Sequence, residues 1–154
     1  MSLEVILGNY QQATLIPENW LTALEDAAQQ AADLALTHAA GDDTALFHLA
    51  TLEIALVDDA TSARVHQEFM NVEGPTDVIT FHHGEIVIGA QVAQRQAAEY
   101  GESLAREILR YIVHGLLHLA GHDDRLAHER AAMESAQEAI VASLWTDGLQ
   151  ARLG

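Results

Sequence analysis

The chain of 154 residues contains no cysteine. Disulfides, thiolate nucleophiles and cysteine-based zinc sites are thereby excluded, so metal chemistry here has to use imidazole and carboxylate donors. Lysine is missing as well. The seven basic side chains are Arg64, Arg95, Arg106, Arg110, Arg125, Arg130 and Arg152, scattered rather than clustered. Against them stand 23 acidic residues, for a formal charge of −16. That balance excludes a general basic clamp on nucleic acid, and any polyanion must be held locally. No run of about 18 apolar residues occurs, and the opening MSLEVILGNY has no basic stretch leading into a long apolar one, so a cytoplasmic protein is expected. Hydrophobic residues are plentiful at 49%. A chain of this length can bury a core as one domain over 1–154, because such domains hide roughly two-thirds of their unfolded surface.

The pattern along the chain predicts an α/β (α+β) layered domain, a small mixed sheet packed with helices. Leu3 to Leu7 reads as a strand closed by Gly8-Asn9, and Pro17 opens a helix running from Glu18 to about Ala39. Residues 45–57 read as a strand with an irregular start, ended by Asp58-Asp59. A short helix follows over Ala60 to Met70, then a loop at Gly74-Pro75 and two strand segments, Asp77 to His82 and Glu85 to Ile88, joined through His83-Gly84. The rest is helical. Gln91 to Tyr100 ends at Gly101, Ser103 caps a helix to about Ala120 stopped by Gly121, and a last helix covers Arg125 to about Trp145.

Chemistry concentrates in Ile108 to Asp124, ILRYIVHGLLHLAGHDD. His114 and His118 stand at i and i+4, so both rings project from one helix face about a turn apart, the spacing with which one helix grips one ion. The flanking Ile112, Val113, Leu116, Leu117 and Leu119 make this the central helix. Gly121 can take the left-handed conformation that reverses the chain, returning a donor toward the rings; His122, Asp123 and Asp124 are the ones available. Two histidines, one such donor and an open position form the usual arrangement of a catalytic zinc. The spacing resembles the ligand run of metzincin proteases, but the position of their general-base glutamate is Gly115, which argues against a peptidase. Of the remaining histidines, His38 and His128 are expected in solvent, His48 in a strand and His66 in a helix, in structural roles. His82 and His83 are expected to end a strand whose neighbours border the site.

Two motifs resemble those of the YbeY endoribonucleases of ribosomal RNA maturation. His114 to Asp124, HGLLHLAGHDD, is similar to the family's HGxLHLxGYDH, and Thr76 to Phe81, TDVITF, to its TDVLSF. Gly84 to Ile88 is similar to GDIVI, Leu56 to Asp59 matches LVDD, and Met133-Glu134 fits the helix that follows the metal motif, so the resemblance covers roughly residues 52–144. It implies one divalent ion, zinc or else nickel, held by His114, His118 and the third ligand position, which falls on Asp124 where the family has histidine. His122, at the family's aromatic position, is the fallback ligand. The family's asparagine falls on His66, and its arginine, thought to hold RNA phosphate, falls on Met70.

What the resemblance implies for function is a metal-dependent, single-strand-specific endoribonuclease. Its task would be the 3′ end of small-subunit ribosomal RNA and ribosome quality control. Ribosomal RNA precursor, small-subunit proteins and assembly factors would be its partners, with no DNA or membrane partner. The nucleophile would be a metal-activated water, and Asp77 would orient a ligand or that water; its other reading is a turn or capping aspartate. Two alternatives stand beside this: a catalytically weak or inactive metal-binding assembly factor, and a metal-dependent hydrolase of another class.

Overall fold

The computed structural model describes residues 3–153, so the outermost limits of the expected domain lie outside the described residues. The elements run β1 (Glu4–Asn9), α1 (Glu18–Thr37), α2 (Ala45–His48), β2 (Thr51–Val57), α3 (Asp59–Met70), β3 (Val78–Phe81), β4 (Glu85–Gly89), α4 (Ala90–Tyr100), α5 (Leu104–Leu119), α6 (Ala127–Leu144) and α7 (Asp147–Arg152). The sheet order is β1-β2-β4-β3, with β1, β2 and β4 parallel and β3 antiparallel to β4. It is the small mixed sheet expected from the pattern.

Side-chain alternation explains how the layers stack. Val5 and Leu7 of β1, Leu52, Ile54 and Leu56 of β2, and Ile86 and Ile88 of β4 lie in register and are buried on one face. Over that face lie α1 and α5. α1 presents Ala23, Ala27, Ala28, Ala31 and Ala35, small side chains that bring its backbone close to its neighbours. α5 is the centre of the molecule: Ile108, Leu109, Ile112, Val113, Leu116 and Leu117 are wholly inaccessible, each side chain contributing roughly 1.5–3 kcal/mol by leaving water. The other sheet face carries a smaller cluster, Val57, Ile79 and Val87, covered by Val65 of α3 and by Phe81.

Three expectations need correction. Residues 45–57 do not form one strand: Ala45–His48 is a helical turn that inserts Leu46 into the core, and pairing with β1 starts only at Thr51, opposite Glu4. His48 therefore ends a helical turn, with its ring against Asp43, instead of sitting in a strand. Gly8 and Asn9 do not close β1 but continue it, paired with Ala55 and Leu56. The last long helix begins at Ala127, because Leu126 is extended and serves as the N-cap. α7, capped by the Thr146 hydroxyl accepting from Leu149 N–H at 3.2 Å, is too short to leave a periodic signal.

Candidate metal centre

The wall of the site is the last turn of α5, and how that helix ends decides what surrounds it. Gly121 has φ +98°, its N–H donates to His118 O at 3.1 Å, and His122 N–H donates to Leu117 O at 3.0 Å. This is a complete Schellman ending, in which two otherwise orphaned carbonyls are satisfied as the chain reverses. A Cβ at Gly121 would lie 2.8 Å from Ala40 O, so close approach to the loop after α1 requires glycine independently of φ.

The three donors after this turn go separate ways. His122 Nε2 donates to His38 O at 2.6 Å, and Asp123 accepts from Arg125 Nε at 2.8 Å, an ion pair that holds its carboxyl below the usual carboxylate range. Asp124 alone turns back: its Oδ2 lies 3.9 Å from His114 Nε2, and it shares with His114 and His118 a cavity of about 200 Å³ that is also lined by His66, Met70, Thr76 and Thr80. The structure thus brings His114, His118 and Asp124 together and leaves the fallback, His122, tied to a backbone carbonyl elsewhere.

The protonation chemistry of the histidines suits a cation. His114 Nδ1 donates to Gln137 Oε1 at 2.8 Å, which fixes the tautomer and leaves the Nε2 lone pair facing Asp124. Burial, followed by the neighbouring His82 and His114 rings, pushes His118 below the ordinary histidine range, so its imidazole is neutral at pH 7. Donors bound at 2.0–2.1 Å to a tetrahedral ion stand roughly 3.4 Å apart. The 3.9 Å separation lies about half an ångström outside that, and among the described residues no three His, Asp or Glu side chains form a ready-made metal cluster. Two imidazoles and a carboxylate on one cavity are nonetheless the donor chemistry that a divalent ion takes.

Asp77 serves a local turn and also borders a cavity beside the histidines. Its Oδ1 accepts from Val78 N–H at 2.7 Å and from the Thr76 hydroxyl at 3.3 Å, a local turn role, and it also lines a second cavity of about 300 Å³. That cavity shares His114 and Asp124 with the first and adds Tyr111, Glu107, Arg110 and Arg130. His82 rests against His118, ring centroids 5.8 Å apart, whereas His83 stacks on Phe81. His66 Nδ1 donates to Gly74 O at 2.9 Å while lining the first cavity, and Met70 presents a thioether there.

Sequence reasoning missed Gln137. The signal was present: α6 buries Met133, Ala136, Ile140, Val141 and Leu144, and Gln137 is a polar residue set into that apolar stripe, only 8% exposed. Arg130 and Tyr111 left no comparable mark. Gly115 stands where a metzincin has its general-base glutamate, and packing explains the glycine: a Cβ there would meet the Ile86 side chain at 2.8 Å, since α5 lies directly on β4. No helix of the described residues is long and apolar enough to cross a membrane.

Comparison with known proteins bears on the family and the fold. The model of the family described as Endoribonuclease YbeY matches residues 9–145. The Endoribonuclease YbeY of Moorella thermoacetica is 35% identical over 92% of this chain and 97% of its own length, and that of Pelotomaculum thermopropionicum is 31% identical with the same coverages. The solution structure of a Thermotoga maritima protein superposes with a TM-score of 0.61 over 93% of this chain and 89% of that one; at 23% identity it speaks to the fold. With the family model spanning most of the chain and relatives above 30% identity covering nearly all of it, the protein belongs to the endoribonuclease YbeY family.

Proposed function

We propose that the protein is a metal-dependent endoribonuclease that cuts single-stranded RNA in the cytoplasm. Its substrate is a ribosomal RNA precursor at the small-subunit 3′ end, met among small-subunit proteins and assembly factors, and the same activity serves ribosome quality control. The observation that carries this reading is the gathering of His114, His118 and Asp124 on one cavity in a chain of this family. These residues would hold one zinc or nickel ion. Bound there, such an ion supplies positive charge at the scissile phosphate and makes water acidic enough to act as a nucleophile near neutral pH.

The chain's own groups do the rest. Gln137 keeps the proton of His114 on Nδ1. His118, neutral through burial, offers its lone pair without first losing a proton. Asp77 spends Oδ1 on the Val78 N–H and keeps Oδ2 to accept a hydrogen bond from the attacking water and orient it. A carboxylate as third ligand makes the centre less electrophilic than three imidazoles would.

A second reading, a metal-binding assembly factor with weak catalysis, is favoured by Met70. This side chain, 57% exposed on the cavity wall, offers a phosphate no charge. Protein reconstituted with zinc or nickel and incubated with single-stranded and duplex RNA separates the two. We expect metal-dependent internal cleavage of the single strand, lost together with metal content in His118→Ala and Asp124→Ala. Full metal without cleavage selects the second reading, and metal lost in His122→Ala but kept in Asp124→Ala reassigns the third ligand.

A further inference from the structure

A phosphodiester substrate needs a cation beside it, and the chain has seven from which to choose. Four are committed: Arg95 to Asp59, Arg125 to Asp123, Arg152 to Asp26, and Arg110 to Glu102, Glu107 and Glu138 together. Arg106 lies over the Trp145 ring on the far end of α5, and Arg64 lines none of the cavities around the histidines. Arg130 is different. It has no carboxylate within salt-bridge distance among the described residues, it is exposed, and it lines the 300 Å³ cavity beside His114 and Asp124.

Its anchorage points the same way. Arg130 Nε donates to the backbone carbonyl of Asp124 at 3.1 Å, and among the described residues the two terminal nitrogens of the guanidinium have no hydrogen-bond partner, on a cavity that Asp124 also lines. We infer that Arg130 is the residue that grips the phosphate of the RNA strand, from the α6 side of the site. A planar fork held by its inner nitrogen is prepared for two parallel hydrogen bonds to phosphoryl oxygens, and it loses little freedom in making them. The need is acute, since Asp77, Glu107, Asp124 and Glu134 line the same cavity and would otherwise repel a phosphate.

This inference rests on the endoribonuclease reading, and its test separates the two. Zinc-loaded wild type, Arg130→Gln, Arg130→Lys and Arg125→Gln are compared on a labelled single-stranded oligoribonucleotide, with zinc content and thermal midpoint measured for each. Arg130→Gln should keep its zinc and midpoint yet lose roughly 10- to 100-fold in kcat/KM, and the log–log salt dependence of RNA binding should flatten by about 0.7. Arg130→Lys, which keeps the charge, should restore the salt slope but only part of the rate, and Arg125→Gln should match wild type. Arg130→Gln within twofold of wild type, an Arg130→Lys salt slope no different from that of Arg130→Gln, or a loss of zinc or thermal stability large enough to account for the rate overturns the inference. Wild type that neither binds nor cuts RNA overturns the endoribonuclease reading, and the role of Arg130 with it.

Discussion

Gln137 is where one side chain governs another most directly. Its amide oxygen accepts a hydrogen bond from His114 Nδ1–H and its amide nitrogen donates to Glu138 Oε2 at 3.1 Å, so the ring orientation of His114 is set from α6. Gln137→Leu should leave the fold intact and weaken zinc binding by roughly 10–100-fold, the usual cost of losing such a partner. Gln137→Glu, which keeps an acceptor, should retain most of it; titration against a competing chelator distinguishes them. Gly115 is the corresponding structural case. Gly115→Ala gains about 0.8–1 kcal/mol of helix propensity but drives a methyl against Ile86, which is fully buried and has nowhere to move. The clash should prevail by about 1–2 kcal/mol, lowering the thermal midpoint by a few degrees without altering the donor geometry.

At the scale of elements, α5 is fastened to α6 and to the loop before it by Arg110, which reaches Glu138 of α6, Glu102 and its own helix's Glu107. Arg110 holds Glu102 and Glu138 below the ordinary carboxylate range, whereas burial pushes Glu107 above it. The signs differ. Glu102 and Glu138 add stability that is present above pH 4.5 and lost on acidification, while Glu107 is costly when ionised and is relieved by taking up a proton. Arg110→Met strands the buried Glu107, so we expect a loss of about 2–3 kcal/mol at pH 7, below the fully buried figure because Glu138 is half exposed. The deficit should shrink as the pH falls toward 5, where the variant protonates Glu107; urea unfolding at the two pH values checks this.

The same scale shows what could be read from the sequence. The pair His114 and His118, the Gly121 stop, the central α5 and the β3–β4 hairpin are local patterns, and period and turn chemistry encode them. The arrangement of His122, Asp123 and Asp124 is only partly local: Arg125, two residues on, captures Asp123, but His122 is captured by the His38 carbonyl, 84 residues away. Gln137 and Arg130 reach the site only because α6 lies against α5. Ala45–His48 misled for a related reason, since apolar residues mark burial and not strand pairing, and β1 reaches only as far as Thr51.

For the whole molecule the governing quantity is the charge of −16. A protein that binds RNA through many phosphate contacts shows a steep salt dependence, about 0.7 of a log unit per contact on a single strand. With five of its seven arginines occupied by carboxylates or an indole ring, this one can offer very few, so the slope of log K against log salt for a short RNA should have a magnitude below about 1.5. Salt should also act on the fold in the direction opposite to that expected for a basic RNA-binding protein. Screening like charges relieves the repulsion of the compact state more than it weakens a handful of surface ion pairs, so raising salt from 0.02 to 0.5 M should increase the thermal midpoint by a few degrees. Calorimetry of the metal-free protein over that range measures it, and a falling midpoint would mean that the arginine pairs outweigh the acidic surplus. Modest RNA affinity and a midpoint that rises with salt are thus the two expected consequences of one charge balance. On the proposed endoribonuclease reading, the site would work on a strand presented to it by a partner that tolerates an acidic surface, as a basic ribosomal protein would.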